Sequence, residues 1–367
     1  MRTSLSVLTA FFLASSAAAF AAPLAPPDLS EGAVNAAVLS DWQGRQEAMK
    51  QAEAQPAEPE KTEAKPDASA QPAGNAKTAS PDPKDLPDPF LIRLQVLLDR
   101  AHASPGVIDG RAGGNTDKAI RAYEDMNDLK GNGQVDEALW KALSKDDAPA
   151  VKTYELTRED VDGRYVKDMP SDYAEMAKLD WLGYRDAAEM LAERFHMDEK
   201  LLRDLNPGAD FTSVGTKLLV TDPGADPEMK VARIVVDKSK GELIAYDKEG
   251  GIVLVDPATI GSEDTPSPSG TMKVKGSARE PTYEYNPAKN FQQGKNRKKL
   301  TLPAGPNGPV GIVWIDLSKP TYGIHGTPEP SQIDKTASHG CVRLTNWDAQ
   351  ALSRLVLPLQ TVVEFKN

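Results

Sequence analysis

One stretch near the C-terminal end governs the interpretation of the whole chain: Ser338-His339-Gly340-Cys341-Val342-Arg343-Leu344. It contains the only cysteine of the 367 residues, and a further histidine, His325, precedes it. A thiol becomes a useful nucleophile when a nearby imidazole takes its proton or stabilises the thiolate. Gly340 permits a tight turn that lets a substrate approach the backbone. The pattern therefore predicts a cysteine nucleophile in a cleft, with the amides of Gly340 and Cys341 facing a developing oxyanion.

Three other interpretations of Cys341 compete with this one. The first is a buried, inert cysteine, which does not account for the neighbouring histidines. The second is a zinc site formed by His325, His339 and Cys341, but structural zinc sites use four ligands and usually more cysteines. The third is a redox-sensing thiol, which leaves His325 unexplained. We therefore expect nucleophilic catalysis with no metal and no cofactor.

The order of these residues resembles the signature of the L,D-transpeptidase catalytic domain. The resemblance covers about Met229 to Phe365 and includes Gly323-Ile324-His325-Gly326-Thr327. It also includes residues 265–270, Thr-Pro-Ser-Pro-Ser-Gly, which are similar to the family's Thr-Pro-x-Gly turn. Arg343 stands where other members carry Asn. The resemblance implies a mostly-β, β-sandwich-like domain with one late helix at residues 229–366.

The family's roles can be placed on matching residues. Cys341 would be the nucleophile and His325 the proton donor and acceptor, its ring oriented by a backbone carbonyl such as that of Gly326. His339, Gly340 and Arg343 would shape the donor site and the oxyanion pocket. The residues that would bind substrate are Arg343, Ser338, Gly326 and Thr327. The sequence leaves open which histidine is the main base, and the family pattern favours His325.

The resemblance also implies a reaction. Cys341 would attack the carbonyl before the terminal D-Ala of a peptidoglycan tetrapeptide stem, release D-Ala and form a thioester. An amine would then accept the acyl group, either on a neighbouring stem (a 3-3 cross-link) or on a protein, for which an outer-membrane protein is a candidate. Two alternatives remain open. Water could be the acceptor, as in an L,D-carboxypeptidase or hydrolase, or the chain could be a non-catalytic cell-wall-binding protein.

The hydrophobic pattern of the C-terminal domain predicts strands. β-Branched runs at 232–237, 242–247 and 252–255 are separated by turn sequences, and further strands are expected at 310–317, 322–324 and 361–365. A late helix is expected at 347–356, with Asn346 as its N-cap.

Two small modules precede this domain. At residues 88–147, apolar residues at helical spacing, as in Leu91, Leu94 and Leu98, predict three helices. Asp109-Gly110 and the later Gly133-x-x-Asp136-x-x-Leu139-Trp140 are similar to the peptidoglycan-binding domain of wall enzymes. At residues 165–223, two helices, an Asn-Pro stop and a closing strand resemble a degenerate LysM domain, a small α+β module that binds wall glycan. Its opening strand is not recognisable.

The N-terminal region predicts export. A basic start, the apolar run from Leu5 to Phe20 and Ala19-Phe20-Ala21 are typical of a cleaved signal peptide over residues 1–21. Residues 22–87 are rich in Ala, Pro, Glu and Lys, which predicts a disordered tail. We expect a periplasmic, wall-associated protein with no stable membrane span after cleavage. A net charge of −11 argues against nucleic acid as a partner and leaves stem peptides and glycan.

Overall fold

The computed structural model describes residues 26–54, 85–261, 266–289, 291–336, 338 and 340–367. The predicted signal peptide and most of the predicted tail lie outside these ranges, as do Thr265 and His339. Three units follow one another along the chain: a helical domain, a small α+β module and a large β domain. In the described part of the chain, no helix has the length and apolar character that a membrane span requires.

Part of the predicted tail is folded. Helix α1 (Glu31–Asn35) and helix α2 (Leu39–Ala54) pack on the units that follow. Val34 is fully buried, and the ring of Trp42 stacks on Phe90 at 5.5 Å. Arg45 forms a two-pronged ion pair with Asp88 at 2.7 and 2.8 Å. The prediction of disorder is therefore wrong for residues 31–54, because the few apolar residues of this segment find partners far along the chain.

The helical domain consists of three helices: α3 (Pro89–Arg100), α4 (Gly114–Met126) and α5 (Glu137–Leu143). Asp88 caps α3 by accepting from the amide of Phe90, and Pro89 occupies the first helical position, where its missing N–H is harmless. The apolar faces of the helices meet in one core that also includes Val255 of the β domain. The predicted three-helix unit is confirmed, and it packs directly on the β domain.

The α+β module begins earlier than predicted. Strand β1 (Val151–Glu155) pairs antiparallel with β2 (Lys217–Thr221), so the opening strand lies upstream of the predicted boundary at residue 165. The chain between these strands forms four helices: α6 (Arg158–Val161), α7 (Tyr173–Met176), α8 (Ala187–Arg194) and α9 (Glu199–Leu205). Helices α8 and α9 bury their apolar faces against this sheet. Strand β1 escaped prediction because its sequence, VKTYE, has one apolar residue in the core.

The C-terminal domain is built on one eight-stranded sheet in the order β11-β10-β9-β6-β12-β3-β4-β5. Its strands are β3 (Arg233–Asp237), β4 (Glu242–Tyr246), β5 (Ile252–Pro257), β6 (Gly270–Arg279), β9 (Val313–Leu317), β10 (Gly323–His325), β11 (Val342–Arg343) and β12 (Val362–Lys366). The short strands β7 (Tyr283–Tyr285) and β8 (Leu300–Leu302) form a separate hairpin. Helix α10 (Asn346–Leu355) is the predicted late helix.

The large sheet curls around a single core. Residues from its two ends, such as Leu243 of β4 and Val342 of β11, belong to the same buried cluster, together with Leu352 of α10. The N-cap of α10 differs from the prediction. Thr345 caps the helix by accepting from the amide of Asp348, while Asn346 turns inward and donates to Glu193 of α8 at 2.9 Å. The buried amide of Asn346 thus joins the β domain to the α+β module.

Candidate active site

The parallel pairing of β10 with β11 brings the predicted catalytic residues to one face of the sheet. Ile324 lies opposite Val342, and both are fully buried in the core. Since side chains alternate across a strand, His325 and its register partner Arg343 project from the other face. Cys341 precedes β11 and, like Arg343, is half-buried on that side of Val342. A thiol, an imidazole and a guanidinium therefore share one end of this strand pair.

The turn before Cys341 depends on Gly340. Its φ is +110°, a conformation that residues with a side chain rarely adopt, and a Cβ there would lie 3.0 Å from the ring of Tyr322. Ser338 accepts from the amide of Gly340 at 3.1 Å and donates to the carbonyl of Cys341 at 2.5 Å. Ser267, from the turn at 265–270, donates to the carbonyl of Gly340 at 2.9 Å. These bonds hold the nucleophile in place.

One predicted role needs correction at this turn. The amide of Gly340 already donates to Ser338 Oγ inside the turn. The amide of Gly340 is therefore not free to face an oxyanion. Of the two amides predicted for that role, the amide of Cys341 remains. Ser338, predicted to bind substrate, is only 2% exposed and shapes the turn. His339 lies outside the described residues.

The imidazole of His325 has one ring nitrogen available to accept a proton. Its Nδ1–H donates to the carbonyl of Gly326 at 2.7 Å, which leaves Nε2 without a proton. The ring of Trp314 stacks on the imidazole at 5.4 Å. Burial, assisted by the charge of Arg343, lowers the pKa of His325 to about 4, although the bond to Gly326 opposes the shift. The imidazole is therefore neutral at neutral pH.

The thiol of Cys341 is also neutral in this state. Burial raises its pKa, while the amide of Gly323 and the charge of Arg343 act in the opposite direction. The thiol donates to the carbonyl of Thr321, which lies 3.7 Å from Sγ. Cysteine and histidine are thus both neutral at rest.

The two remaining predicted substrate contacts lie away from the thiol. Gly326 packs against α10, where a Cβ would collide with the side-chain oxygen of Asn346, and its carbonyl orients His325. Thr327 is buried and accepts from the amide of Glu329 in the following turn. Of the two, Gly326 contacts the histidine, through its carbonyl.

Several residues around the thiol are not recognisable as site residues from the sequence. A cavity of about 480 Å³ is lined by Tyr283, Trp314 and Thr321 together with residues of the β7–β8 hairpin. The charge of a Cys341 thiolate acts on the pKa of Tyr283, which burial raises, so this ring lies close to the nucleophile. Aromatic residues are common in strands, and the spacing of Tyr283 from Cys341 carries no signal that would reveal this proximity.

Comparison with known proteins identifies two domains. Residues 231–364 match the L,D-transpeptidase catalytic domain family, and residues 88–143 match the family described as "Putative peptidoglycan binding domain". The chain is 29% identical over 172 residues to "Putative L,D-transpeptidase YkuD" of Bacillus licheniformis, covering 47% of this chain and 88% of that protein. It is 31% identical over 189 residues to "Probable L,D-transpeptidase YbiS" of Escherichia coli, covering 50% of this chain and 61% of that protein.

Among solved structures, the chain is similar to an L,D-transpeptidase from Mycobacterium smegmatis, with 18% identity and a TM-score of 0.31 over 42% of this chain and 65% of the other. The matches to the two relatives span half of the chain or less, and the match to the Escherichia coli protein spans less than two thirds of that relative. The two domain matches and the relatives agree: the multidomain chain contains a domain at residues 231–364 that matches the L,D-transpeptidase catalytic domain family, and a domain at residues 88–143 that matches a peptidoglycan-binding family.

Proposed function

We propose that this protein is a cysteine acyltransferase that acts on peptidoglycan tetrapeptide stems. The observation that carries the proposal is the position of Cys341, His325 and Arg343 on one face of the β10–β11 pair, with the Nε2 lone pair of His325 available. Peptidoglycan as substrate agrees with the match of residues 88–143 to a wall-binding family.

The reaction proceeds in two transfers. Cys341 Sγ attacks the carbonyl carbon before the terminal D-Ala, and the thiol proton passes to His325. The carbon–nitrogen bond then breaks, His325 returns the proton to the leaving D-Ala amine, and a thioester remains. An acceptor amine attacks the thioester, the carbon–sulfur bond breaks, and the thiol is restored. The amide of Cys341 stabilises the oxyanion of both tetrahedral intermediates.

Purified protein and tetrapeptide muropeptides test this proposal. We expect loss of D-Ala and formation of 3-3 linked dimers, with Cys341 carrying a mass adduct after incubation with a carbapenem. Tripeptide monomers without dimers would establish water as the acceptor and the enzyme as an L,D-carboxypeptidase. If neither product nor adduct forms, and the protein still binds sacculi, the chain is a wall-binding protein. Adding an outer-membrane protein to the same assay as the acceptor tests whether the acyl group is attached to a protein.

The pH dependence of acylation tests the neutral pair. Because the pKa of His325 is about 4, the imidazole stays deprotonated at mildly acidic pH. We expect kcat/KM for the donor to be level between about pH 5.5 and 8 and to fall only below about pH 5. In His325→Gln the rate should instead rise with pH as thiolate forms. An acid limb centred near neutral pH would contradict this assignment.

The location and the α+β module belong to the same proposal. Export to the periplasm rests on the signal-like residues 1–21. The pairing of β1 with β2, together with the packing of the two longer intervening helices α8 and α9 against this sheet, supports a LysM-like, glycan-binding role for residues 151–221. Binding of this protein to isolated sacculi and to soluble glycan fragments measures both contributions.

A further inference from the structure

A segment of the α+β module crosses to the catalytic domain. We name residues 163–183 the strap and residues 281–308, which contain the β7–β8 hairpin, the flap. The amide of Leu182 in the strap donates to the carbonyl of Ala304 at 2.9 Å, and the carbonyl of Leu182 accepts from the amide of Asn307 at 2.9 Å. Gly305, at a φ of +146°, permits this approach, since a Cβ there would collide with the carbonyl of Leu182.

A second set of bonds holds the strap at α7. Gln293 of the flap donates to the carbonyl of Ser171 at 2.8 Å and accepts from the amide of Tyr173 at 3.2 Å. Asn296 donates to Asp172 at 3.1 Å. All three bonds join the catalytic domain to a unit that lies outside the family match at 231–364.

Rings complete the attachment. Tyr173 packs edge-on against Tyr285 at 5.2 Å and against Tyr283 at 6.0 Å. Tyr285 is 1% exposed and shares a buried cluster with Leu182 and Leu302. Packing and hydrogen bonds together therefore determine the position of Tyr173 relative to the flap. In this position Tyr173 lies close to the cleft.

Three polar groups near the thiol have no hydrogen-bond or ion-pair partner among the residues that the structure describes. Within the described residues, neither the guanidinium of Arg343 nor the hydroxyls of Tyr173 and Tyr283 form a hydrogen bond or an ion pair. Burial raises the pKa of Tyr173 to about 12, and the charge of Arg343 opposes that shift, as it does for Tyr283. The guanidinium thus lies near both phenols, and Tyr283 also lies near Cys341.

We propose that Tyr173 of the strap, with Tyr283 and Arg343, binds the terminal carboxylate of the donor stem. A guanidinium with two hydroxyl donors in its neighbourhood is suited to a carboxylate. Residues two apart on a strand lie ~6.5 Å from each other on the same face, which relates Arg343 to Cys341. In a stem peptide the terminal carboxylate oxygens lie roughly 4 to 5 Å from the scissile carbonyl carbon. This inference rests on the proposed function and deepens it.

The consequence is that a residue outside the catalytic domain selects the donor. Stems that end in a free carboxylate directly after the scissile bond place their charge among the three donors. Stems in which that carboxylate is an amide lose the charge-assisted bonds. The strap thereby restricts the enzyme to carboxyl-terminal residues of the stem.

Two donor peptides and one conservative variant test the assignment. The donors are the tetrapeptide stem ending in D-Ala and the same stem ending in D-alaninamide. In Tyr173→Phe, which keeps the ring packing, we expect KM for the free acid to rise about tenfold with kcat unchanged. Turnover of the amide should not change. Tyr246→Phe, whose ring lies against Arg233 at 4.0 Å in β4, is the matched control and should behave as wild type.

An equal effect on both donors, or no effect on either, would overturn the proposal. Adduct formation with a carbapenem at saturating concentration and long incubation is measured in parallel. Wild type without an adduct means that the proposed function itself has failed. An adduct in Tyr173→Phe, together with an unchanged ratio of the two KM values, means that only the carboxylate site has failed.

Discussion

Replacing Cys341 with Ser is expected to lower the release of D-Ala from tetrapeptide stems by about 10⁴-fold or more. The hydroxyl of serine is a far weaker acid than a thiol, and His325, with a pKa of about 4, is too weak a base to activate it. In the proposed reaction the sulfur instead gives its proton to this imidazole as the bond to carbon forms. Release of D-Ala measured by a coupled assay gives the ratio directly.

The control for this variant is structural. Serine is nearly the size of cysteine, and Cys341 is half-buried, so the melting temperature should remain within a few degrees of that of wild type. A variant that folds like wild type and keeps more than a small percentage of the activity would show that another residue is the nucleophile. Acylation by a carbapenem must disappear along with turnover.

The second large effect concerns Glu193 of α8 and the pH dependence of stability. Glu193 is buried and accepts from Asn346 at 2.9 Å and from the hydroxyl of Tyr184 at 3.2 Å. Burial raises its pKa to about 8, against an ordinary value of 4.5. The stability that results is fully present below the ordinary pKa and is lost as pH rises through about 8. Asp348, whose pKa burial raises to about 7, acts in the same direction.

We therefore expect the wild type to lose about 3 kcal/mol of unfolding free energy from this group between pH 5 and 8. Glu193→Gln keeps an oxygen for both donors and removes the ionisation, so its urea midpoint should change less over this range and exceed that of wild type at pH 8. Glu228→Gln, at an exposed position, is the control and should follow the wild type. Parallel curves for wild type and Glu193→Gln would contradict the assignment.

The position of Glu193 also shows why these predictions involve several units. Its carboxyl group accepts a hydrogen bond from Asn346 of the catalytic domain. Earlier in the chain, the backbone of Leu182 in the strap forms hydrogen bonds with the flap. The α+β module is consequently joined to the catalytic domain at two places: at the first residue of α10 and at the flap.

Much of the catalytic domain follows from local sequence. The runs at 232–237, 242–247 and 252–255 became strands β3, β4 and β5 with boundaries shifted by two residues or fewer. These runs are rich in apolar and β-branched residues and are buried over most of their length, so their local composition indicates strands without help from distant partners. Strand β9 begins at Val313, later than the predicted 310, because Gly311 adopts a φ of +60° in a preceding turn.

The amino-acid sequence by itself indicated the candidate nucleophile, the candidate base and many of the helical and strand elements around them. Each of these leaves a mark in neighbouring residues: a glycine where φ is positive, an apolar period, or a short motif with a chemical reason. Cys341 and the Ser338–Gly340 turn belong to this class, since Gly340 and Ser338 act within a few residues of the thiol.

The tertiary structure alone decided which residues from distant parts of the sequence come together, including those around the thiol. The packing of Trp42 on Phe90, the pairing of β1 with β2 and the approach of Tyr173 to the flap all join residues that are far apart in sequence. Such contacts arise from the burial of surfaces that only the folded chain brings together, and they produce no periodic pattern in either partner. For the same reason, the engagement of the Gly340 amide by Ser338 and the neutral state of His325 became visible only with the burial and hydrogen bonds of the folded site.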